Sequence, residues 1–307
     1  MRKIMPIALY LILSLGSISA TAGLELQKVT DQVYAIVGEL SQRSPENLGN
    51  NATFGLIVTN AGLVLVDPGG SEQGAAAIHA LIKGVSDQPV KWVINTGGQD
   101  HRWLGNHYWA ERGASIIASS AAVADQKNRS GGQLGTLQQL VGEAGMAGTS
   151  PRYADQLFEN ELALELGGVQ LLIRHLGAAH TPGDSFVYLP QQNVLFSGDI
   201  IYLERMLGVG SQSNSKSWLA VLEAIAELNP EWVIPGHGHA AGFDKAQRDT
   251  IDYLRTLRQR VAEFLDEGGA LEEIGQVDQS EFDYLEVSDQ LAGRNAHQVF
   301  QEMEFEF

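Results

Sequence analysis

Four short apolar runs in this chain each end in a loop that joins glycine to histidine or aspartate, and no other feature limits the fold as much. The loops are Asn95-Thr96-Gly97-Gly98-Gln99-Asp100-His101, Ala179-His180-Thr181-Pro182-Gly183-Asp184, Ser197-Gly198-Asp199 and Pro235-Gly236-His237-Gly238-His239. A polar side chain at the exit of a buried strand has a rigid base and an open approach, which suits a metal ligand or a catalytic base. Taken singly, His180 or His237 reads as a hydrogen-bonded structural histidine and Asp199 as a turn cap. Four such loops in one chain point to a shared site.

The runs between them define the elements. Gln32 to Val37, Thr53 to Val58 and Leu63 to Asp67 read as a strand meander, and the polar loop Glu39 to Asn51 is long enough to overhang a site. A helix at Glu72 to Lys83 and strands at Lys91 to Asn95 and Ala114 to Ala118 follow. Next come a helix start at Ser120 to Lys127 and a Gly-rich linker at Ser130 to Gly135. The second half repeats the plan. Its strands lie at Leu162 to Leu166, Val169 to Arg174, Ser185 to Leu189, Val194 to Ser197 and Trp232 to Ile234, and its helices at Ser217 to Leu228 and Lys245 to Asp266. Two sheet-forming halves with segregated helices stack sheet on sheet with helices outside, an α/β four-layer αββα sandwich.

Composition narrows the class. The 307 residues are 44% hydrophobic, enough for one large core. Arg2 and Lys3, the apolar run Ile4 to Leu15 and the small residues through Ala22 have the layout of a secretory signal peptide. The expected division is therefore a leader over residues 1–22 and a single domain over residues 23–307 with a C-terminal helical extension, working in the periplasm or secreted. No later run is long enough to span a membrane. Without cysteine, no disulfide staples the fold and no thiolate serves as nucleophile or ligand. Loss of Arg2 and Lys3 with the leader takes the net charge from −17 to about −19, which excludes nucleic acid as a partner class.

With Asp67 at a strand end, the His-Thr-Pro-Gly-Asp loop, Leu-Phe-Ser-Gly-Asp and Pro-Gly-His-Gly occur in an order that resembles the metallo-β-lactamase-fold hydrolases, over nearly all the mature chain. The ending Phe300-Gln301-Glu302-Met303-Glu304 resembles the exported group associated with quinoprotein and sulfur-oxidation systems. The resemblance implies up to two metals and a shared hydroxide that attacks a carbonyl or phosphoryl group. By position, His180 matches the third histidine of the first metal site, Asp199 the bridging carboxylate and His237 the last histidine of the second. Asp67 matches a carboxylate beneath the metal loop, or else fixes the Pro68-Gly69-Gly70 turn.

The departure lies in the His-x-His-x-Asp-His motif. Aligned without gaps, Gly97 and Gln99 replace two histidines, His101 falls on the Asp and Arg102 on the final His. Shifted by one residue, Asp100 and His101 become the Asp-His pair. Candidate metal ligands are thus Asp100, His101, His180, Asp199 and His237, with Asp100 and His180 as catalytic groups and His180 as proton shuttle. Arg102, Trp103, His107 and His239 are candidates for pocket lining. Glycine offers no ligand and Gln99 only a weak neutral oxygen, so one divalent metal per chain is expected, zinc first and iron second. The expected function is metal-dependent hydrolysis of a small ester, lactone, thioester or similar molecule. The alternative is a catalytically reduced accessory or binding protein of an exported redox system. A mononuclear iron oxygenase fits less well, because it would use the two absent histidines.

Overall fold

The computed structural model describes residues 22–304 and residue 306, so the expected leader, apart from Ala22, lies outside the described residues. The first sheet has seven strands in chain order. β1 (Glu25–Lys28), β2 (Val33–Val37), β3 (Thr53–Thr59) and β4 (Gly62–Val66) form an antiparallel meander, and β5 (Val90–Ile94), β6 (Ser115–Ser119) and β7 (Gln156–Phe158) continue it in parallel. The second sheet runs β12 (Trp232–Ile234), β11 (Val194–Phe196), β10 (Phe186–Leu189), β9 (Val169–Arg174), β8 (Glu161–Leu166), with only β11 and β12 parallel.

Side chains alternate across each strand, and here both faces are apolar. From β4, Val64 and Val66 meet Val187, Leu189, Val194 and Phe196 of the second sheet in a core between the sheets. Leu63 and Leu65 face the other way, onto Ala75, Ile78 and Ile82 of helix α1 (Glu72–Ile82) and Trp109 of the short helix α2 (Asn106–Ala110). On the far side, the outer face of the second sheet packs on α4 (Ser215–Ala226), α6 (Tyr253–Asp266) and α7 (Ser288–Met303). These are the four layers expected from the sequence. Among the described residues no helix is long and apolar enough to cross a membrane.

Two helical expectations change. The Gly-rich linker is absent: helix α3 runs from Ser120 to Met146 straight through Gly131, Gly132 and Gly135, with its break at Gly142 (φ 75°). Each interior glycine costs about 1 kcal/mol against alanine. Leu137 and Val141, buried on Trp103 and Leu104, each return about 1.5–3 kcal/mol, so tertiary packing wins. The helix expected from Lys245 starts as the single turn α5 (Phe243–Ala246), widens into a π turn over Gln247–Asp252, and continues as α6.

Candidate metal centre

The ends of β4, β5, β11 and β12 meet at one edge of the sandwich, and Arg102 fastens them there. Asp67 follows β4 with φ 66°, a strained conformation for a residue with a side chain. Its carboxylate holds that conformation by accepting from the Thr96 backbone N–H and hydroxyl, both at 2.8 Å, and from Arg102 Nη1 at 2.9 Å. Arg102 Nη1 also donates to the Thr53 carbonyl at 3.0 Å. Its Nη2 donates to Asp199 Oδ1 and the Gly236 carbonyl, each at 2.7 Å. The guanidinium is wholly buried between two carboxylates. Asp199 reaches it because Gly198 turns in the left-handed region (φ 51°), where a Cβ would overlap the Thr96 side chain.

Above this floor, His101, Asp199 and His237 converge, all buried, with ligand atoms within 4.8 Å of one another. His237 Nδ1 donates to the Asn51 carbonyl at 2.7 Å, which leaves Nε2 as an acceptor 3.3 Å from Asp199 Oδ1. Burial drives the His237 ring well below its ordinary pKa, so the ring is neutral and two lone-pair atoms face each other with no proton between them. A cation resolves that contact. Burial alone would raise the Asp199 carboxyl, but the Arg102 guanidinium and the His101 ring outweigh it and hold Asp199 ionised, well below the usual range.

His101 Nε2 lies 3.2 Å from Asp199 Oδ2. In a tetrahedral site with bonds of about 2.0–2.2 Å, neighbouring ligands sit roughly 3.4 Å apart, and Asp199 Oδ1 by itself comes near that edge on both sides, 3.3 Å from His237 Nε2 and 3.5 Å from His101 Nε2. The residues present therefore fit one divalent metal held by His101, Asp199 and His237. His101 Nδ1 has two neighbours, Arg43 Nη2 at 2.9 Å and Asp100 Oδ1 at 3.1 Å. Donation to Asp100 leaves Nε2 free to bind metal, whereas acceptance from Arg43 puts the proton on Nε2, facing Asp199.

Asp100 and His180 stand apart from the three ligands. Asp100 opens the 3₁₀ turn Asp100–Arg102, and its carboxylate turns to Arg43 Nη2 at 2.5 Å and to the His101 backbone N–H at 2.8 Å. Burial opposes its ionisation, but Arg43 and His101 hold it well below the ordinary carboxylate range. The pair that faces Asp199 is thus His101 and Arg102, as the ungapped alignment has it. His180 lines the same cavity as His101 and His237. Its Nδ1 donates to the Gly208 carbonyl at 2.9 Å, and burial lowers its pKa, so Nε2 is a free acceptor.

Of the two positions where the ungapped alignment lacks a first-site histidine, Gly97 has no space for a side chain, whereas Gln99 already carries one. A Cβ at Gly97 would overlap the Asp184 carboxylate, and one at Gly98 would overlap Asp125. Gln99 is drawn towards Arg129 and Asp100. Asp184, which accepts from Thr181, is pushed up to about 8 by burial and then by the Asp199 carboxylate.

The cavity over the cluster holds about 330 Å³. The loop 39–51 overhangs it with Gln42, Arg43 and Asn51, and Tyr202 stacks on His237 with ring centroids 4.6 Å apart. Sequence reading missed Arg43, Asn51, Tyr202 and Arg205, which belong to no motif. Of the lining candidates, Arg102 lies in the floor, Trp103 is buried on Tyr153, His107 faces Glu72 and His239 pairs with Glu204.

Comparison with known proteins agrees with this fold. The family model described as the metallo-beta-lactamase superfamily matches residues 49–237, more than half of the chain. A type 2 metallo-beta-lactamase of Bacteroides fragilis is 29% identical over 91 residues, 28% of this chain and 36% of that protein, so the chain spans only about a third of that relative. Among solved structures, a metallo-beta-lactamase from Pontibacter korlensis superposes with a TM-score of 0.61 at 21% identity, over 76% of this chain and 99% of that one. A stereoselective inverting sec-alkylsulfatase from Pseudomonas sp. gives 0.67 at 20% identity, over 91% of this chain and 50% of that one. The motif order, the four layers and the family match together establish that the chain belongs to the metallo-beta-lactamase superfamily.

Proposed function

We propose that this chain is a hydrolase of small-molecule esters, lactones, thioesters or similar substrates that works with one zinc ion, iron being the second choice. Within that proposal it acts outside the cytoplasm, on the strength of its N-terminal segment. The observation that carries the reading is the neutral His237 Nε2 facing Asp199 Oδ1 at 3.3 Å without a proton to share. A divalent cation bound there supplies a Lewis acid that polarises a substrate oxygen and makes a water acidic enough to attack near neutral pH. The protein does the rest. Asn51 fixes the His237 tautomer, Asp100 accepts the His101 Nδ1 proton, and Arg102 holds Asp199 in place. Neutral His180 takes the proton of the attacking water at Nε2 and passes it to the leaving group.

A second reading, the accessory protein without turnover, is favoured by two observations: Arg102 already compensates Asp199, and Arg43 lies 2.9 Å from His101 Nδ1. Elemental analysis separates the two. The hydrolase reading expects about one zinc per chain, lost in His101→Ala and His237→Ala and retained, with affinity lower by about 10–100-fold, in Asp100→Asn. His180→Ala keeps its metal and loses turnover. Protein that stays metal-free in zinc-replete buffer sinks the hydrolase and leaves the accessory role.

A further inference from the structure

Arg102 and Arg205 are both buried, yet they are treated in opposite ways. Arg102 takes two carboxylates, whereas Arg205, 6% exposed, forms no ion pair among the described residues. Its Nε donates to the Leu40 carbonyl at 2.7 Å and its Nη2 to the amide oxygen of Gln42 at 3.4 Å, and the guanidinium lines the cavity above the metal ligands. A buried cation without a counter-ion is costly, and a protein keeps one where a ligand completes it.

The rest of the cavity wall has the same sign. Arg294 of α7 lines it with no ion-pair partner among the described residues, Arg43 lines it from the overhanging loop although its charge is met by Asp100 behind the wall, and no aspartate or glutamate lines it. This occurs in a chain whose net charge is −17, where a wall free of carboxylates is a marked local reversal. Arg294 and its neighbour Asn295 lie beyond the segment matched by the family model, so the appended helix supplies part of the wall.

We propose that the cavity binds a small organic molecule through an oxyanion, a carboxylate, sulfate or phosphate group, held by Arg205 and Arg294 beside the metal ligands. That the bound molecule is a substrate rests on the hydrolase reading; the binding itself does not. The arginines would hold the anionic end while the bond to be broken lies towards His101 and His237.

The test is calorimetric titration of the full mature chain with butanoate, sulfate and phosphate, and with butanamide as neutral control, each with and without added zinc. At least one anion is expected to bind tenfold or more tightly than butanamide in both metal states. Arg294→Gln and Arg205→Gln should each weaken it at least tenfold, with Arg294→Lys recovering most of the loss. Arg294 is exposed, so its variants fold even if Arg205→Gln, which loses the Leu40 contact, does not. Equal binding of anion and amide overturns the inference, as does unchanged anion affinity in Arg294→Gln or anion binding that vanishes when zinc is withheld. Anion binding intact in a protein with no metal and no turnover removes the hydrolase reading and leaves this one standing.

Discussion

At the residue scale, Arg102 is the clearest departure of this chain from the motif its superfamily membership suggests. Its guanidinium sits where the ungapped alignment puts a metal-binding histidine, and it brings a fixed positive charge to Asp67 and Asp199. A fixed cation in that position supports the proposal of one metal rather than two, because it already compensates Asp199. Removing one partner of a buried ion pair typically costs about 3–5 kcal/mol, because the other charges are left uncompensated. Arg102→Met, nearly isosteric along its stem, is therefore expected to lose that much stability in chelator, measured by urea unfolding. Added zinc should restore more of the loss than it adds to the wild type, since a second cation can stand beside Asp199. Equal zinc stabilisation of both proteins would show that Arg102 is only a strut.

At the element scale, helix α7 and the loop it pins decide the shape of the cavity. Asn295 accepts from the Val209 backbone N–H at 2.8 Å and donates to the Leu207 carbonyl at 2.7 Å and the Tyr253 hydroxyl at 2.8 Å. It thereby holds the segment whose Gly208 carbonyl orients His180. Asn295→Ala strands these buried partners at about 1–3 kcal/mol. It should lower the melting temperature and reduce turnover while metal content stays at the wild-type level; lost metal would place the effect at the ligands instead. The strands and the loops after them were legible in the sequence because alternating apolar runs and Gly-flanked polar residues are local signals. His101, Asp199 and His237 stood out in the same way. The course of α3 was not legible, since only the packing of Leu137 and Val141 overrides its glycines. Nor were Arg43 and Arg205, whose roles come from folding the loop 39–51 and the segment after Asp199 over one cavity. The side-chain directions of Asp100 and Arg102 depend on a single 3₁₀ turn that residue spacing does not encode.

At the scale of the whole molecule, burying this many ionisable groups at the junction of two sheets makes stability depend on pH in a way that can be assigned. Asp199 and Asp100 are held below their ordinary values, so their contribution is present near neutrality and is lost as the solution is acidified. Asp184 has the opposite sign. Burial, and then the Asp199 carboxylate, raise it from 3.8 to about 8, so between those values the folded protein binds a proton that the unfolded chain has released. Its contribution is complete below about 4 and drains away as the pH rises towards about 8, at a limiting slope of roughly 1.4 kcal/mol per pH unit for one proton. Asp184→Asn mimics the protonated form and still accepts from the Thr181 backbone N–H, so it should remove that slope without opening a cavity. Unfolding free energies measured in chelator at several pH values from 4.5 to 8.5 should show the variant gaining steadily on the wild type across the interval and levelling off above it. A difference that stays constant with pH would mean that Asp184 is already ionised in the folded protein, with its charge balanced by Thr181 and the neighbouring backbone.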